Sequence, residues 1–203
     1  MNQSDCRRNI RKLRLSYELD MNGSVPRASA IILVGFMGAG KTSVGRMLAE
    51  RMGWSFEDLD GRVERLEGKT VAEIFRQLGE SEFRRAEHAA LKQLLEEVRG
   101  GSERVIALGG GAFAHQPSAT LIATEQVPTV FLEAGVDELW RRCTRQAESQ
   151  GMQRPLLRSE QSFRELYEER RPHYLKARLR QDTGGKPVEQ VVEELVRALG
   201  WER

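Results

Sequence analysis

The chain has 203 residues and a formal net charge of only +2, from 32 basic and 30 acidic side chains. Hydrophobic residues make up 39% and charged residues 31%, a composition of folded soluble domains rather than of disordered chains. So even a charge balance argues against nucleic acid or an anionic membrane as partner, and no apolar run reaches the roughly 20 residues of a spanning helix.

Residues 1–28 read as a basic extension, carrying Arg7, Arg8, Arg11, Lys12 and Arg14 with no apolar segment behind them. That pattern argues against a secretory signal and for a mobile N-terminal segment. From residue 29 onward, strands and helices alternate. Ala30 to Val34 is a continuous apolar run, as expected of a strand buried on both faces. Lys41 to Met52 follows as a helix, with Val44, Leu48 and Met52 at i+4 spacing. Ser55 to Leu59 reads as the second strand. Thr70 and Glu73 form a capping box that opens a helix, which Gly79 is expected to end. A longer helix is predicted from Glu82 to Val98, then a third strand from Arg104 to Leu108 and a fourth from Thr129 to Leu132. Asp137 is expected to cap the next helix. Gln146 to Ser159 reads as a polar loop, Ser162 to Arg171 as a helix and Ala177 to Gln181 as a fifth strand. Pro187 suits the start of a last helix, whose stripe is Val188, Val191, Val192, Leu195, Val196 and Leu199. The alternation predicts an α/β fold with three layers, a parallel sheet between helices.

Gly35-Phe36-Met37-Gly38-Ala39-Gly40-Lys41-Thr42 matches GxxxxGK[ST] between a buried strand and a helix. Its glycines let backbone N–H groups wrap a phosphate, and the helix N-terminus adds partial positive charge. Lys41 is placed to reach the β- and γ-phosphates, and the Thr42 hydroxyl to coordinate Mg²⁺. Nucleotide binding follows. The chain carries no NKxD segment for guanine and is short for a motor ATPase, which leaves a small-molecule kinase.

Further along, Asp58-Leu59-Asp60 closes the second strand. Read as a strand end, it points both carboxylates into the crevice where open α/β sheets bind ligands. Read otherwise, it is a polar turn with Asp60 as helix cap. Arg84, read in the first turn of its helix, opposes the helix dipole, a cost that suggests a use. Arg170 stands just before a helix end. Arginines grip carboxylates bidentately, and Gly109-Gly110-Gly111 after a strand lets backbone approach a ligand. Arg154 lies on the polar loop, where it can cover the phosphates once substrate is bound.

These segments (GFMGAGKTSVGRMLA, Asp58-Leu59-Asp60, EIFRQLGESEFRRAE, ALGGGAF, RPLL and EERRPHY) occur in an order that resembles the shikimate kinase family from about residue 30 onward. The resemblance implies a P-loop kinase fold with a five-stranded parallel sheet, substrate-binding helices and a lid at about 144–160, within a domain spanning 29–203. It implies transfer of the ATP γ-phosphoryl to the 3-hydroxyl of shikimate, toward chorismate and the aromatic amino acids, with one Mg²⁺ ion per ATP. Carried over by position, Gly38, Ala39, Gly40, Lys41, Thr42 and Ser43 hold the ATP phosphates. Thr42 and Asp58 serve the metal, and Asp60 binds the shikimate hydroxyls as candidate base. Arg84 and Arg170 clamp the carboxylate, and Gly109, Gly110 and Gly111 contact substrate through backbone. Arg154 reaches ATP from the lid.

The adenine is expected beside Asp182 to Pro187, where the family pattern has an Arg- or Asn-rich loop, with Arg142 or Arg141 flanking it. Another kinase of this fold, such as a gluconate kinase, shares the P-loop without this ordered set. A ligand-sensing regulator would need an attached DNA-binding domain and would lose catalytic residues. Cys6 and Cys143 lie far apart, and His88, His115 and His173 show no ligand spacing. The cysteines fit a reducing, cytoplasmic compartment without a disulfide framework, and the histidines read as surface or packing residues. A monomer is expected.

Overall fold

The computed structural model describes residues 28–150 and 159–201. Its centre is β1 (Ala30–Val34), at most 2% exposed at any residue, so both sides of the strand are covered. Helix α1 (Lys41–Met52) follows, then β2 (Ser55–Asp58), α2 (Leu59–Glu67) and α3 (Val71–Arg99). Next come β3 (Arg104–Ala107), α4 (Gln116–Glu125), β4 (Thr129–Glu133) and α5 (Val136–Gln150). The last elements are α6 (Glu160–Tyr174), β5 (Leu179–Asp182) and α7 (Val188–Leu199). The five strands are all parallel, in the order β2-β3-β1-β4-β5. The expected α/β sheet with five parallel strands is therefore the one formed.

Sequence order departs from spatial order on both sides of β1, because β1 pairs with β3 and β4 and not with β2. Parallel strands point their carboxyl ends the same way, so the loops after β1, β2, β3 and β4 gather at one edge. Helix α1 packs on β2 and β3 and against α7. It lies close because Gly45 carries no side chain: a Cβ there would overlap the Phe56 ring and press on Leu33.

Several local expectations change. The second strand ends at Asp58, whose side chain caps α2 by accepting the Asp60 N–H at 3.2 Å. Asp58 and Asp60 are thus not i and i+2 of one strand, and the cap is Asp58 rather than Asp60. Gly79 does break its helix (φ 83°, ψ 174°), but a second limb resumes at once, so α3 is one bent element. Arg84 therefore lies past the first turn of the second limb, where the dipole argument does not reach. Asp137 is inside the first turn of α5, whose first free N–H groups, on Glu138 and Leu139, go to the Gly135 carbonyl. The polar stretch from Gln146 is helical as far as Gln150. Helices α2 and α4 carry too few buried residues to announce themselves: Leu59 and Val63 in one, Ser118 and Ile122 in the other.

The capping box of α3 is complete. Thr70 Oγ1 accepts the Glu73 N–H at 3.2 Å, and Glu73 Oε2 accepts the Thr70 N–H at 2.8 Å. Thr70→Ala removes one of these bonds and is expected to cost about 1 kcal/mol. Thermal denaturation should then show a Tm lower by about 2–4 °C, and an unchanged Tm would contradict the role of the cap.

Candidate functional site

The loop leaving β1 wraps into a cradle before α1 begins. Gly38 has φ 79°, and a Cβ there would lie 2.9 Å from both the Leu139 carbonyl oxygen and Cys143 Sγ. Only glycine satisfies both the backbone angle and the space. Lys41, in the first turn of α1, folds its ammonium back under the loop and donates to the Gly35 and Phe36 carbonyls at 2.8 and 3.0 Å. Burial pushes its pKa below the ordinary 10.5, opposed by the charges of Asp60 and Asp58. Thr42 Oγ1 donates to Asp58 Oδ2 at 3.2 Å. Two oxygens of the kind that hard divalent cations prefer thus meet at the N-terminus of α1.

Across this pair stands Asp60. Its pKa is raised, first by burial and then by the neighbouring charge of Asp58, while Lys41 and Arg84 pull it back. Asp60 Oδ1 is buried and makes no hydrogen bond among the described residues. It faces Gly109, the first residue of the triple-glycine loop that leaves β3.

That loop gathers the remaining charges. A Cβ on Gly109 would strike Asp60 Oδ1 and come 2.9 Å from Glu87 Oε1. One on Gly110 would lie 3.1 Å from an Arg170 Nη1, and one on Gly111 would overlap the Arg84 guanidinium. Arg84 is itself fixed along α3, donating to Glu87 at 2.7 Å and to Glu80 at 3.2 Å. Tyr174, one turn after Arg170 on α6, donates its hydroxyl to the Gly110 carbonyl. Burial pushes that hydroxyl to a pKa of about 12, so it stays a donor. Two carboxylates, two guanidinium groups and a bare stretch of backbone therefore meet in one place, next to a phosphate cradle with its lysine.

A shikimate kinase family model matches residues 37–200. The chain belongs to the shikimate kinase family. The shikimate kinase of Caulobacter vibrioides is 40% identical over 176 residues, covering 85% of this chain and 83% of that protein. A solved shikimate kinase from Acinetobacter baumannii in complex with shikimate superposes with a TM-score of 0.75 at 33% identity, covering 85% and 93%. A gluconokinase from Sinorhizobium meliloti gives a TM-score of 0.52 at 19% identity, over 86% and 93%, and shares the fold alone.

The structure brings together the cradle residues Gly38 to Ser43, Asp58, Asp60, Arg84, the triple glycine and Arg170. Arg154 lies outside the described residues. Of the two arginines weighed for the adenine, Arg142 reaches the cradle, donating to the Gly38 carbonyl at 3.3 Å. Sequence reasoning missed Glu87 and Tyr174. Glu87 had a signal: it occupies the inward stripe of α3 between Phe83 and Leu91, where a carboxylate stands out. Tyr174 had none apart from its place in the EERRPHY segment.

Glu87 is fully buried, and burial raises its pKa from 4.5 to about 7 against the pull of Arg84. Between those two values the folded protein holds a proton that the unfolded chain has released. Its contribution to stability is therefore present below about 4.5 and lost as pH rises to about 7. Glu87→Gln removes this loss. Denaturant midpoints measured across that window should show the variant gaining on the native protein as pH rises, whereas parallel profiles would mean that Glu87 does not titrate there.

Proposed function

We infer that the protein transfers the γ-phosphoryl group of ATP to the 3-hydroxyl of shikimate, giving shikimate 3-phosphate and ADP. The observation that carries this reading is the pairing of Arg84 and Arg170 around a loop without side chains, opposite the unpartnered oxygen of Asp60. Two guanidinium groups suit a carboxylate, and a buried carboxylate oxygen suits a hydroxyl. An acidic polyol answers both demands, and the curated relatives named shikimate kinase support shikimate as that acid.

In this reading Arg84 and Arg170 hold the substrate carboxylate, which turns the ring so that one hydroxyl meets Asp60. Asp60 accepts that hydroxyl's hydrogen bond and takes its proton as the oxygen attacks phosphorus. The raised pKa of Asp60 suits a base better than that of a solvated aspartate would. The N–H groups of Gly38 to Ser43 cradle the phosphates, and the Lys41 charge offsets the negative charge that builds on the transferring group. The Thr42 and Asp58 oxygens fit Mg²⁺, which when bound neutralises charge on the phosphates. Arg154 covers the phosphates from the lid. The kinase domain spans residues 29–203 and works as a cytoplasmic monomer. Among the described residues no helix is long and apolar enough to cross a membrane.

The test is coupled ADP release with Mg-ATP and either shikimate or gluconate. Shikimate alone should support turnover. Asp60→Asn should lower kcat by about 10²-fold or more, and Arg170→Ala should raise KM for shikimate with KM for ATP unchanged. Turnover with gluconate and none with shikimate would overturn the substrate. A rise in KM for ATP alone in Arg170→Ala would overturn the carboxylate assignment.

A further inference from the structure

Helix α3 meets the chain around the triple glycine at two levels. At the first, Gly111 leaves room for the Arg84 guanidinium. At the second, four residues further along each segment, stand His88 and His115. Between them lies Ser118, in the first turn of α4 and fully buried. His88 Nδ1 lies 3.3 Å from Ser118 Oγ, and His115 Nδ1 lies 3.2 Å from the same oxygen. The two ring centroids are 6.4 Å apart. The chain is wound tightly between the levels, with the Ala114 and His115 N–H groups both donating to the Gly111 carbonyl at 3.1 Å. A shift of His115 would therefore carry Gly111 with it.

A serine hydroxyl has one proton to give and lone pairs to receive. With both imidazoles neutral, one bare Nδ1 accepts the Ser118 proton and the other ring donates its Nδ1–H to Oγ. The two rings must then be opposite tautomers. One added proton leaves this arrangement intact, because the donating ring can take it at its far nitrogen. A second cannot be taken so: both Nδ1 atoms would carry protons, and the buried hydroxyl proton would lose its acceptor. The surrounding charges also oppose it. Burial, then the charges of Arg84 and His88 facing it from α3, hold the His115 pKa below the ordinary 6.5. His88 has Arg84, Arg85 and Lys92 within about a turn of its own helix, and the Glu87 carboxylate beside it is turned to Arg84. Within α4 the titratable side chain is Glu125, paired with Arg99 at 3.0 Å.

We propose that Ser118 is a positioning residue for the acceptor loop: through His88 and His115 it braces the triple glycine against the helix that carries Arg84, and the brace gives way when both imidazoles are charged. This rests on the loop forming the acceptor site. The intact brace keeps Gly111 and Arg84 in register for the substrate carboxylate. Its opening at acid pH loosens that grip, while the phosphate cradle, which Ser118 does not touch, stays as it was.

The experiment has two readouts. Nitrogen-edited NMR of the imidazoles in the full chain, at about pH 8, should show opposite tautomers for His88 and His115; the same tautomer in both overturns the brace. Calorimetric titration with shikimate then compares the native chain, Ser118→Ala and His115→Asn from about pH 8 to about pH 5. Asp60 and Glu87 are present in all three, so the ratios of affinity isolate the brace. Ser118→Ala should bind shikimate about fivefold more weakly at the alkaline end, with ADP affinity unchanged, and the gap should close as pH falls. His115→Asn keeps a hydrogen-bonding group near the place of Nδ1 but cannot ionise. It should match the native chain at the alkaline end and bind more tightly than it at the acid end. A gap that stays constant across pH, native affinity in Ser118→Ala at the alkaline end, or a parallel loss of ADP affinity overturns the proposal. A native chain that binds no shikimate at any pH would overturn the substrate reading, and the brace would then stand or fall on the tautomers.

Discussion

Three consecutive residues without side chains decide what the rest of this structure can do. At Gly109, Gly110 and Gly111 the space for a Cβ is already taken by Asp60, Glu87, Arg170 and Arg84. Any side chain there would drive the charged groups apart. Because there is none, groups from α2, α3 and α6 converge on one short loop, and the loop's backbone becomes a wall of the pocket. The placement follows from the sheet. β3 lies between β2 and β1, so the loop leaving it sits midway between the Asp58–Asp60 corner and the cradle after β1.

Convergence has an electrostatic cost, visible in the titrating groups. Burial moves Lys41 down and Asp60 and Glu87 up, each toward its neutral form. Opposite charges limit the damage: Asp60 and Asp58 support Lys41, and Arg84 supports Glu87. A site assembled this way places charge before substrate arrives, which is where phosphoryl transfer gains most. Interactions with water could not fix Arg84 as Glu87 does, from within the helix that carries both. The same logic recurs beyond the cradle, where Glu138 and Thr183 hold Arg142.

Legibility in the sequence followed locality. β1 and its cradle could be read directly, because an apolar strand, a glycine pattern and the start of a helix are adjacent in the chain. Asp58 and Asp60 stand out as a site, but their geometry stays open between two readings: a two-residue spacing fits a strand face and equally a helix cap, and even the cap reading names Asp60 where the structure has Asp58. Only the Asp58 side chain bonded to the Asp60 N–H separates the two. Helix α4 escaped because its buried face is just Ser118 and Ile122, too few for a periodic signal. Glu87 stands in the inward stripe of α3, but its stripe alone does not say what it meets. A glutamate on a helix reads as solvated until the helix is packed, and its burial depends on a loop more than twenty residues later. Arg84, Arg170 and the glycines stand out one by one from their local chemistry, and the family resemblance is what joins them in one site.

The claim that the bare loop lets two arginines grip one carboxylate is tested most directly by Gly111→Ala, titrated by calorimetry with shikimate and with ADP. The added methyl meets the flexible end of Arg84 rather than backbone, so the protein should still fold. The account predicts shikimate affinity lower by about tenfold or more, with ADP affinity retained. Native shikimate affinity in a folded variant whose Arg84 has been pushed aside would contradict it.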